Sequence, residues 1–155
     1  MTTSTPFEQA RMDIASAAPR LSTTAWSRSE TQVQLDPGLR MLVNLRASIV
    51  NGCAYCIDMH SKEARKAGES EQRLSALPAW RQTPFFDDRQ RAALALTDAI
   101  TLISDGHVPR EVWDEASGQF EPDELAQLVW VIITINAWNR IATSTRMLPG
   151  SYEPR

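Results

Sequence analysis

The segment from Glu121 to Ile141 constrains this chain most, because its centre, LVWVIITI, is apolar on every side. So many β-branched residues would suit a strand. The flanks argue for a helix. Pro122 fits a first helical turn, and Leu125, Leu128, Val129, Ile132, Ile133, Asn136 and Ile141 keep helical spacing. A helix is therefore predicted. In a chain of 155 residues it must lie at the centre of the fold or against another subunit. The longest unbroken apolar run, Leu128 to Ile133, has six residues, where a membrane span needs about 20. No membrane association is expected.

The remaining punctuation is also helical. Asp36-Pro37 is a helix start, since Asp accepts free amide hydrogens and Pro lacks one. Leu39, Leu42, Val43, Ile49 and Val50 then form a broad apolar face, which Asn51-Gly52 interrupts. A second helix is predicted from Cys53 to Ala67, with Gly68 as its stop. Residues 69–78 suit a short helix. Asp87 with Gln90 resembles a capping box ahead of a long helix, and Pro109 to Phe120 reads as another short one. Pro6 to Ala18 reads as a helix, and residues 20–35 as a loop or weak helix with Trp26 as a packing anchor. The expected fold class is all-α, one compact helical domain over residues 1–155 with a loose tail near 147–155.

Composition narrows the partners. Apolar residues make up 43% and charged residues 23%, which disfavours disorder. The formal charge of −3 offers no basic field, so no nucleic-acid partner is expected. Two cysteines cannot build a disulfide-dense secreted scaffold, and the first residues show neither a basic nor an apolar signal region. A cytoplasmic protein is the expectation.

The chemistry concentrates in NGCAYCIDMH, which places Cys53, Cys56 and His60 at i, i+3 and i+7 on one helical face. Two cysteines three apart can close a disulfide. First-turn amides favour a thiolate over a thiol. A thiolate can attack a peroxide oxygen, become a sulfenic acid and be resolved by a neighbouring thiol. His60 lies where it can exchange a proton with the pair. Other readings are two buried small hydrophobes, or a metal site, for which two thiolates and one imidazole leave a ligand missing. Glu63 reads first as a solvated helix charge, with orientation of His60 as its alternative role. Arg46 reads as a helix-surface residue rather than a neutralising partner of the site. Asn136, Asn139 and Arg140 read as structural organisers, and Trp80, Trp113, Trp130 and Trp138 as packing or subunit anchors.

Beyond these local signals, LVNLRAS, NGCAYCIDMHSKEARKAG, ALPAWRQTPFFDDRQRAALAL and INAWNR occur in order between Leu39 and Arg140. Together they resemble the carboxymuconolactone decarboxylase superfamily, in its AhpD-like alkylhydroperoxidase branch. The resemblance implies an all-helical fold, a homo-oligomer and a thiol-dependent peroxidase. The substrate would be hydrogen peroxide or an organic hydroperoxide, with an external thiol or dithiol as reductant. It implies that Cys56 is peroxidatic, that Cys53 resolves it, and that His60 joins a proton relay. No cofactor and no metal are implied. The relay glutamate usual in this branch stands twelve residues before the first cysteine, where this chain has Met41. Slow turnover is the expected consequence. Ile49 and Tyr55 also depart from residues often found in the branch. The competing functions are a redox-sensitive structural or interaction protein without efficient turnover, and a decarboxylase-like lyase. The latter gives no reason for paired thiols.

Overall fold

The computed structural model describes residues 10–18 and 23–154. Among the described residues, eight α-helices run in the order α1 (Ile14–Ala17), α2 (Thr23–Thr31), α3 (Pro37–Val50), α4 (Ala54–Lys66), α5 (Glu71–Ala76), α6 (Asp88–Thr101), α7 (Arg110–Gln119) and α8 (Pro122–Thr145). A 3₁₀ segment, Leu77–Gln82, continues α5 through Pro78, where the sequence predicted a stop. The described residues contain no strand.

The predicted starts hold for stated local reasons. The Asp36 carboxylate accepts from the Leu39 amide at 2.8 Å, with Pro37 in the first turn. Asp87 and Gln90 form a reciprocal capping box, as do Glu121 and Glu124 ahead of α8. The N-terminal helix expected from Pro6 is described only from Ile14 to Ala17. Its earlier residues 6–9 and the side chain of Trp26 lie outside the described residues. Residues 23–31, expected as loop or weak helix, are α2.

α3 sits between two apolar clusters. Leu39 and Val43 face Leu96, Phe120, Leu128 and Ile132 from α6, the end of α7 and α8. Leu42 and Leu45 face Ala64, Leu77, Trp80 and Leu94 on the other side. Burying a leucine of this kind contributes about 1.5–3 kcal/mol, so tertiary packing, not local propensity, fixes α8 as a helix. By length and hydropathy α8 also suits a membrane span, but 50% of its most apolar window is buried against the other helices. Trp130, whose Nε1 donates to Ser29 Oγ of α2 at 3.1 Å, and Ile133 remain exposed.

Arg46 is not a surface residue. It is mostly covered between α3 and α6, its side chain 13% exposed, where its Nε donates to Asp98 at 2.6 Å and Nη1 to the Pro78 carbonyl at 2.9 Å. Asp98 also accepts from Trp80 Nε1 at 3.2 Å and Arg81 Nη1 at 2.5 Å. Asp98→Ala would leave Arg46 charged and unpaired in the interior. Unfolding in urea is expected to show a loss of about 3–5 kcal/mol with an unchanged slope.

Candidate functional site

The site is built on the turn between α3 and α4. Gly52 adopts φ +64°, a conformation side-chain-bearing residues rarely take, and this lets α4 begin directly after α3. The neighbouring Asn51 pins the turn to α8: its Nδ2 donates to Asn136 Oδ1 at 2.9 Å and Asn139 Oδ1 at 2.8 Å. Asn139 Nδ2 donates on to Ser48 Oγ, and Asn136 Nδ2 to Thr101 Oγ1. Arg140 caps the network by donating to the Asn136 carbonyl and Oδ1. The INAWNR segment is thus a structural organiser, as its sequence suggested. It ties α3, α6 and α8 together with buried polar groups whose partners are all supplied.

Cys53 lands at the N-cap of α4, one position outside the helix predicted to begin with it, and its Sγ accepts from the Cys56 amide at 3.4 Å. Cys56 lies in the first turn, and the two are joined as a disulfide. Both are 2% exposed and pack with Ala142 and Tyr55. One first-turn amide, that of Cys56, thus points at the Cys53 sulfur, and the start of a helix is a setting that favours a thiolate once the bond is reduced.

His60, one turn further along, is buried at 6% exposure. Its Nδ1 lies 3.0 Å from Glu63 Oε2. Glu63 is not the solvated charge first read from the sequence. The hydrogen bond from His60 is the main influence holding its carboxyl below the ordinary glutamate range. Burial opposes this shift, and Tyr152 adds to it with an O–H···O contact of 2.6 Å to Oε1. An ionised carboxylate only accepts, so Nδ1 carries the hydrogen, and in the neutral imidazole Nε2 then holds the lone pair. Nε2 is buried and has no hydrogen-bond partner among the described residues.

Cys56, His60 and Glu63 line a cavity of about 630 Å³ with Tyr55, Met59, Val131, Ile135 and Trp138. Two charges enter it from other helices, Arg40 of α3 and Glu30 of α2. Glu30 is half-buried, and burial pushes its carboxyl upward against the pull of a Trp138 hydrogen bond, Arg40 and His60. Sequence reasoning missed Glu30, because nothing local to it signals that α2 lines the cavity. Met41 does not line the cavity. It packs against the cluster of Leu42, Ala64 and Trp80, and the His60 Nδ1 contact that a relay carboxylate would make is held by Glu63. Asp58 points elsewhere, to Lys62 and the Gly150 amide. Among the described residues no three His, Cys, Asp or Glu side chains are grouped to hold a metal ion.

Comparison with known proteins agrees with this construction. The sequence pattern of the carboxymuconolactone decarboxylase family matches residues 15–99. The uncharacterized protein YdfG of Bacillus subtilis is 41% identical over 111 residues, 72% of this chain and 76% of that protein. A crystal structure from Agrobacterium tumefaciens superposes with a TM-score of 0.87 at 35% identity, over 93% of this chain and 100% of that one. That protein is of unknown function, and its description suggests an AhpD antioxidant defence protein. A peroxidase-related protein from Silicibacter, at 23% identity and TM-score 0.73 over 83% of this chain and 70% of that one, shares the fold. The chain therefore belongs to the carboxymuconolactone decarboxylase/AhpD-like superfamily.

Proposed function

We propose that this chain is a dithiol peroxidase that reduces hydrogen peroxide or an organic hydroperoxide. One observation carries the reading: a cysteine pair closes a disulfide with its Cys56 in a cavity wall, beside a histidine whose Nδ1 a carboxylate engages. In the reduced form, His60 Nε2 takes the Cys56 proton. The thiolate attacks the terminal peroxide oxygen, the O–O bond breaks, and the departing alkoxide or hydroxide receives a proton from His60. Cys56 is then a sulfenic acid. The Cys53 thiol attacks its sulfur, releasing water and closing the disulfide. An external dithiol supplies the two electrons that reopen it. Such a cycle fits a reducing, cytoplasmic setting.

Support for the Cys56 assignment comes from its place with His60 in the cavity lining, while Cys53 sits behind it at the helix cap. Peroxide consumption with several dithiol reductants tests the reading. Sustained, peroxide-dependent turnover is expected, whereas reversible oxidation without turnover would favour a redox-sensitive structural role.

In this reading Glu63 does the work of the relay carboxylate missing at Met41. Glu63→Gln should lower the rate of Cys56 oxidation by roughly 10–100-fold, measured by stopped flow on reduced protein. Met41→Glu should bring no gain, because it adds a charge to an apolar cluster while Nδ1 is already engaged. A clear gain would return the relay to position 41. The sign with pH follows from Glu63. Its carboxyl is held below the ordinary range in the folded chain, so its contribution is present above that range. The contribution is lost as pH falls through the lowered value.

The exposed Trp130 and Ile133 on α8, each 48% exposed, suit burial in a homo-oligomer. Sedimentation at micromolar concentration should show at least a dimer, and a persistent monomer would reject this assembly.

A further inference from the structure

The last residues run back along α4 instead of trailing free. Gly150 turns the chain at φ +107°. Its amide donates to Asp58 Oδ2 at 3.0 Å and its carbonyl accepts from Lys62 Nζ at 3.1 Å. Lys62 also donates to the Tyr152 carbonyl at 2.9 Å, and Lys66 to the Pro154 carbonyl at 3.1 Å. Lys62 and Lys66 are the chain's only lysines, and both are spent on this segment. A segment expected to be loose is thus held by contacts spread over more than two turns of the helix that carries the site.

These anchors deliver one side chain to the chemistry. The Tyr152 hydroxyl lies 2.6 Å from Glu63 Oε1, while the other carboxylate oxygen faces His60 Nδ1 at 3.0 Å. A phenol is protonated at neutral pH, so it donates. Glutamate has three rotatable bonds and a side chain about a third exposed here. With His60 as its only guide it would sample other rotamers. A second donor on the opposite oxygen fixes the carboxylate plane, and with it the imidazole that the carboxylate orients.

We propose that residues 147–154 form a strap whose Tyr152 is a positioning residue: it holds Glu63 so that His60 presents Nε2 to the cysteine pair. The strap rests on the reading of the dithiol site given above, but it can be tested without turnover. Three charged or titratable groups face Glu63 besides Tyr152 or act on it through the cavity: His60 on its own helix, Arg40 from α3 and Glu30 from α2. None of these is altered by Tyr152→Phe.

The decisive experiment uses the full chain in its disulfide form, with nitrogen and carboxyl-carbon resonances assigned. There are two histidines, His60 and His107, so the imidazole signals are separable. In the wild type, the neutral form of His60 should be a single Nδ1–H tautomer, and Glu63 should titrate below the ordinary range. In Tyr152→Phe, the Glu63 titration should move up toward the ordinary range and the His60 tautomer should become mixed. Lys62→Met, which cuts two strap anchors without touching Glu63, should move both signals the same way. In reduced protein, Tyr152→Phe should slow Cys56 oxidation roughly 10-fold, and should add nothing in a Glu63→Gln background. Unchanged Glu63 and His60 signals in a folded Tyr152→Phe variant would overturn the strap. Altered signals with no peroxide reaction in any form would keep the strap and reject the peroxidase reading.

Discussion

Cys56→Ser is expected to remove peroxide-dependent turnover, by roughly 10⁴-fold or more, as loss of an attacking nucleophile does. A serine hydroxyl keeps the size and a hydrogen-bonding group, so the first turn of α4 stays intact. It cannot form an anion near neutral pH, and a helix start does not change that. The remaining Cys53 sits at the N-cap behind the cavity lining, with Sγ facing the Cys56 amide. It therefore reaches peroxide poorly. Cys53→Ser gives the complementary result. Cys56 should still react, but the sulfenic acid should persist and be trapped after a brief peroxide pulse. Mass spectrometry that found Cys53 sulfenylated first would reverse the two roles.

The second large effect belongs to His60. His60→Gln should slow Cys56 oxidation by about 10²–10⁴-fold, the usual contribution of a positioned acid–base group. Glutamine is the informative replacement, since its amide can still donate to Glu63 Oε2 and keep the partly covered carboxylate paired. What it lacks is a site that accepts a proton at neutral pH. A large loss with an unchanged melting temperature would assign the effect to proton transfer. An equal loss of stability would assign it to packing around a side chain that is 6% exposed.

Much of this architecture was legible in the chain because its signals are local. Asp36-Pro37, Asp87 with Gln90, and Glu121-Pro122 announce helix starts through chemistry confined to four residues. The choice of helix for α8 needed more, because LVWVIITI has strand propensity. The period of its apolar residues decided it. The cysteine pair and His60 were legible for the same reason, as one turn of helix separates each from the next. Glu63 was ambiguous: a carboxylate three residues after a histidine is commonly solvated, and only the burial of this face by α2 and the strap changes that. Tyr152 was beyond reach, since 89 residues separate it from Glu63 and no periodicity spans that gap. Arg46 was misplaced because a lone arginine on an apolar helix reads as surface until its partner, Asp98, arrives from α6. Trp113, read as a packing or subunit anchor, is 44% exposed on α7.

A single-turnover reaction tests the central claim most directly. Reduced wild-type protein is mixed with one equivalent of an organic hydroperoxide, and thiol loss and alcohol formation are followed together. The account predicts one alcohol formed and one Cys53–Cys56 disulfide closed per chain, far faster than the same hydroperoxide oxidises free cysteine at that pH. A rate no greater than that of free cysteine, or alcohol formed without closure of this disulfide, would contradict it.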